Sequence, residues 1–164
     1  MIFDEFIENE IDTMPKEEKD LLTELLEFLA DYQPQCSGGD APCIALKNSA
    51  KKELHIVLDD EFTVFYDVWH KHYCQDEFET LLQDVRRILH NERYIISIFL
   101  QDSWIGTILW DEPLTRAEVK AQIDWFLKED KNQTQQAKTY GVEARIKYWD
   151  ETKNQTVVFA PGEY

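Results

Sequence analysis

Between Cys43 and Tyr73 the apolar residues of this chain recur at every second position, whereas on either side they recur every three to four. A period of two belongs to strands and a period near 3.6 to helices, and neither pattern can serve as the other. Leu21, Leu22, Leu25, Leu26, Phe28, Leu29 and Tyr32 form a helical stripe, with Thr13 placed to cap it and Pro15 in its first turn. Phe78, Leu81, Leu82, Val85, Ile88 and Leu89 form a second stripe, which Asp76 and Glu79 are spaced to open as a capping box. Thr115 and Glu118 repeat that spacing before a third, shorter helix reaching about Lys128 with Val119, Ile123 and Phe126 inward.

Strands are expected at 43–47, 53–58 and 62–73, the last as one continuous strand. Along it Phe65, Asp67, Trp69, Lys71 and Tyr73 share one face, and Val64, Tyr66, Val68, His70 and His72 the other. Two hairpins follow, 93–100 with 104–110 and 139–149 with 155–159, and the polar run 131–138 reads as a loop. Strict strand–helix alternation is missing. The expected fold is therefore α+β, a mainly antiparallel sheet with about three helices packed on it. The 164 residues fit a single domain, with an acidic helical region over 1–33 and a sheet-and-helix core over 43–159.

Charge narrows the function. The chain holds 33 Asp and Glu against 17 Lys and Arg, a formal net of -16, yet 43% of it is hydrophobic and 13% aromatic. That composition excludes a disordered acidic tail. So much like charge opposes compaction, and it also steers cationic partners inward and repels phosphate. The expected partner is a basic protein, not nucleic acid and not a membrane. No apolar run reaches the ~18 residues a spanning helix needs. The acidic start, Met-Ile-Phe-Asp-Glu-Phe, lacks a signal peptide's basic region, and three cysteines suit reduced thiols, so a cytoplasmic setting is expected.

Candidate contacts are the N-terminal acids, the acids of turn Asp59, Asp60 and Glu61, and the patch Trp110, Asp111 and Glu112, which Pro113 closes. An aromatic anchor ringed by charge is what interface hot spots use. At least half of Trp104, Trp110, Trp125 and Trp149 are expected in the core. His70, His72 and Cys74 would project together from one strand and offer three zinc-competent donors, but no fourth ligand is evident. Cys74 beside those histidines and Asp67 lacks the Gly-rich elbow of a nucleophile, and neither a P-loop nor a dinucleotide fingerprint occurs. No cofactor and no catalytic residue is therefore expected.

The run Phe62-Thr-Val-Phe-Tyr-Asp-Val-Trp-His-Lys-His-Tyr, the helix after it, Ser103-Trp-Ile-Gly and the closing Tyr148-Trp149-Asp150 resemble bacterial immunity proteins of polymorphic and contact-dependent toxin systems. The resemblance covers about residues 54–150. It implies a cytosolic protein, not an enzyme, that binds one cognate toxin domain and blocks it. A nuclease-type toxin must be basic to hold phosphate, which agrees with the charge. Two other readings remain: a small metal-binding protein or enzyme on His70, His72 and Cys74, and a mimic of nucleic acid whose carboxylates imitate phosphates.

Overall fold

The computed structural model describes residues 15–37, 41–111 and 114–164. They form an α+β arrangement of two antiparallel sheets and four α-helices. Two compact units divide the chain, residues 1–86 and 87–164.

In the first unit, helix α1 (Lys16–Leu29) starts directly after Pro15, whose missing N–H costs nothing at that position. The expected cap, Thr13, lies outside the described residues. Leu22, Leu25, Leu26 and Leu29 are buried, as their stripe requires. A five-stranded meander follows: β1 (Gln35–Ser37), β2 (Cys43–Lys47), β3 (Glu53–Leu58), β4 (Phe62–Tyr66) and β5 (Trp69–Tyr73), each paired with the next. Its inner face buries Ile44, Leu46, Leu54, Ile56, Phe62, Val64, Tyr66 and Tyr73.

The single strand expected over 62–73 is instead a hairpin. Asp67 takes a left-handed conformation (φ 54°), which Asp tolerates better than most residues, and the chain reverses there. Phe65 then pairs with His70 and Thr63 with His72. The expected faces are corrected accordingly: His70 and His72 lie with Thr63 and Phe65 on the outer face, and Trp69, Lys71 and Tyr73 with Phe62, Val64 and Tyr66 on the inner. Helix α2 (Phe78–Leu89) is preceded by a 3-10 turn, Gln75–Glu77. Its cap is two residues earlier than the sequence suggests, with the Cys74 N–H donating to Glu77 Oε2 at 3.0 Å in place of the Asp76–Glu79 pair.

The second unit holds β6 (Arg93–Leu100), β7 (Ser103–Asp111), β8 (Val142–Lys147) and β9 (Gln155–Phe159), in the order β7-β6-β8-β9. Gln101 and Asp102 join β6 to β7, both at positive φ (47° and 63°), the two-residue geometry that matches strand twist. Helix α3 (Arg116–Leu127) carries the expected capping box: the Thr115 N–H donates to Glu118 Oε2 at 2.8 Å, and the Glu118 N–H to Thr115 Oγ1 at 3.2 Å. Val119, Ile123 and Leu127 bury against Tyr94, Ile96, Ile98, Val142, Ala144, Ile146 and Phe159. At ~1.5–3 kcal/mol for each large side chain removed from water, this cluster dominates the unit's stability.

The expected loop at 131–138 is helix α4 (Lys131–Tyr140). Asp130 caps it, accepting from the N–H groups of Asn132 (2.8 Å) and Gln133 (3.0 Å), and Gly141 ends it at φ 80°. Among the described residues no helix is long and apolar enough to cross a membrane.

Candidate functional site

The uncompensated acids of the first unit concentrate on α1 and the 3-10 turn Ala30–Tyr32 that continues it. Glu17, Asp20, Glu24, Glu27 and Asp31 are spaced alternately three and four residues apart, all exposed, and none forms an ion pair among the described residues. Helical spacing sets them in one ridge on the side away from the leucines. Asp59, Asp60 and Glu61 occupy the β3–β4 turn, also exposed. There Asp59 Oδ1 accepts from the Asp60 N–H at 2.9 Å, and Glu61 Oε2 stands 3.7 Å from Nδ1 of His72.

In the second unit the candidate contacts fare differently. Trp110 is 37% exposed at the end of β7. Asp111 is committed internally: Arg87 Nη1 donates to its Oδ2 at 3.0 Å and Arg93 Nη2 to the same oxygen at 3.2 Å. These guanidinium hydrogen bonds, Arg93's foremost, hold the Asp111 carboxyl below its ordinary range. Glu112 and Pro113 lie outside the described residues. The tryptophans are more exposed than expected, Trp104 at 53% and Trp125 at 59%, while Trp149 alone of those four is buried at 8%. Trp125 and Phe126 line, with Ile108 and Leu109, a groove beside the edge strand β7.

The histidines of β5 pack as aromatic groups. His70 stacks on Phe65 (centroids 5.7 Å apart) and meets His72 edge-on (5.4 Å), while His72 Nδ1 and Thr63 Oγ1 are 3.0 Å apart. Cys74 has left the strand and heads the 3-10 turn. Desolvation and the carboxylates of Glu77, Glu61 and Asp76 push its thiol up, away from the thiolate a metal needs. Among the described residues no three His, Cys, Asp or Glu side chains form a group able to hold a metal, so His70, His72 and Cys74 are not brought together as one.

One constellation escaped the sequence reading. Registering β2 against β3 places Ala45 opposite His55 and Lys47 opposite Glu53, so Cys43, His55 and Glu53 share the outer face. Cys43 Sγ is 3.7 Å from His55 Nδ1, and His55 Nε2 is 2.9 Å from Glu53 Oε2. The carboxylate fixes the tautomer: Nε2 carries the proton and Nδ1 faces the thiol with its lone pair. Lys47 Nζ anchors Glu53 at 2.9 Å, and that hydrogen bond, with the one from His55, keeps the Glu53 carboxyl below its usual range. The signal available in the sequence was the Glu-x-His pair on one strand and a cysteine at the start of its neighbour.

Comparison with protein families, with curated proteins and with solved structures finds no match to this chain.

Proposed function

We propose that this chain is a non-enzymatic binding protein that neutralises a cognate, basic toxin domain of nuclease type, in the manner of an immunity protein. The observation that carries this reading is the ridge Glu17, Asp20, Glu24, Glu27 and Asp31, exposed and without an ion pair among the described residues. With the acids of the β3–β4 turn it leaves negative charge uncompensated where it faces water. Such a surface accelerates encounter with a cationic partner and orients it. Trp110 supplies an exposed aromatic of the kind that anchors interfaces, whereas Asp111 acts within the chain.

The test is stopped-flow association with the basic C-terminal domain of a toxin encoded beside this gene, over increasing salt. Association should slow about tenfold or more between low and physiological ionic strength, as electrostatic steering is screened. A complex whose association rate ignores salt, or no complex with any such domain, overturns the reading.

A further inference from the structure

We propose that Cys43 is a modification site, a thiol that forms mixed disulfides with small disulfide compounds, with His55 taking its proton and Glu53 holding the imidazolium that results. The three side chains stand in the order that activates a neutral nucleophile: Sγ to Nδ1 at 3.7 Å, then Nε2 to Oε2 at 2.9 Å. Neither other cysteine has this arrangement. Cys36 pairs opposite Ile44 on the inner face of the sheet, and Cys74 heads the turn after β5, where its surroundings are carboxylates.

In the step, the proton of Sγ passes to Nδ1 as Sγ attacks one sulfur of the disulfide. The S–S bond of the compound breaks, and the departing thiolate takes the proton back from the imidazolium. Cys43 ends in a mixed disulfide and one small thiol is released, so the disulfide is the only oxidant required. Burial pushes the Cys43 thiol up and the Glu53 carboxylate adds to the rise, against a hydrogen bond from Ser37 that lowers it. The resting sulfur is therefore a thiol, and proton removal by His55 is what makes it nucleophilic at neutral pH.

The site is reachable. His55 and Glu53 are each more than one-third exposed, and a cavity lined by Lys52, Glu53, His55, Phe65, Tyr66 and Asp67 opens beside them. The charged groups around the imidazole are Glu53 on its own strand, Lys47 on β2 through Glu53, and Lys52 and Asp67 at the cavity. Opposite on β4 stands Phe65, with His70 stacked on it.

The experiment treats the full chain with 2-hydroxyethyl disulfide and follows each cysteine by peptide mass spectrometry across pH. Cys43 should react at least about tenfold faster than Cys36, and already below the range near pH ~8.5 in which a free thiol ionises. His55→Gln should slow Cys43 at least about tenfold and Glu53→Gln less, with the Cys74 rate as internal reference unchanged in both. A Cys43 no faster than Cys36, or a wild-type rate that climbs only with thiol ionisation above about pH 8.5, overturns the proposal. The wild-type pH profile and Glu53→Gln decide it even if His55→Gln fails to fold.

Discussion

The hydroxyl of Tyr73 donates to Oδ2 of Asp84 at 2.6 Å, and the Lys71 ammonium reaches the same oxygen at 3.1 Å. Among the described residues Asp84 is one of few polar side chains that are buried, at 5% exposure, and Tyr73 is fully buried. A carboxylate out of water is tolerated only while its donors remain. Tyr73→Phe keeps the ring and removes one donor. It should lower unfolding free energy by about 1–3 kcal/mol in urea titration. Asp84→Ala, which removes the acceptor shared by Tyr73 and Lys71, should cost at least as much. A Tyr73→Phe variant as stable as wild type would show that the hydroxyl contributes nothing.

Asp111 ties the end of β7 to Arg87 and Arg93, and its carboxyl is held below the ordinary range by those guanidinium groups. A carboxyl that is more acidic folded than unfolded stabilises the protein above its unfolded value, near pH ~3.9, and loses that contribution as pH falls through the folded one. Asp111→Asn should therefore be less stable than wild type at pH 7, by about 1 kcal/mol or less because the group is partly solvated. The gap should narrow as the pH falls below ~3.9. Paired denaturation curves on either side of that value measure it, and a gap that persists unchanged in acid would assign it to packing.

β7 comes so close to α3 that Gly106 has no room for a side chain: a β-carbon there collides with the ring of Phe126. Gly106→Ala must push that ring outward or bend the strand, at about 1–3 kcal/mol by thermal denaturation. Phe126→Leu in the same molecule vacates the space and should recover part of the loss. Simple additivity of the two changes would place the strain elsewhere.

Local signals carried the fold well where they were self-contained. β2 and β3 have the expected bounds, and the Thr115–Glu118 box opens α3 as its spacing requires. The failures share a cause. Nothing between Phe62 and Tyr73 breaks the alternation, with no Gly or Pro to punctuate it, and the reversal rests on the left-handed backbone of Asp67. Helix α4 offers no apolar stripe, since Ala137 alone is buried in it, so its formation depends on the Asp130 cap and the Gly141 stop more than on periodicity. Cys43, His55 and Glu53 lie up to twelve positions apart and meet only through the β2–β3 register, which the turn over 48–52 sets. The exposure of Trp104 and Trp110 on β7 was unreadable for a related reason, because strand alternation does not say which face is covered.

The ridge on α1 permits a test in which stability and binding move in opposite directions. Glu27 lies in the last turn of α1, where the backbone carbonyls make the helix end negative, and no basic residue stands there. Glu24 precedes it by three residues and Asp31 follows by four, both like-charged neighbours on the same face. Glu27→Lys removes two repulsions, creates two attractions and complements the dipole, so the free protein should gain about 0.5–1.5 kcal/mol in thermal denaturation. A basic partner that docks on this ridge should meanwhile associate several-fold more slowly. Retaining an acid at the wrong end of a helix costs stability, which binding would justify. If the lysine variant is more stable and captures the basic domain as fast as wild type, the partner surface is not α1.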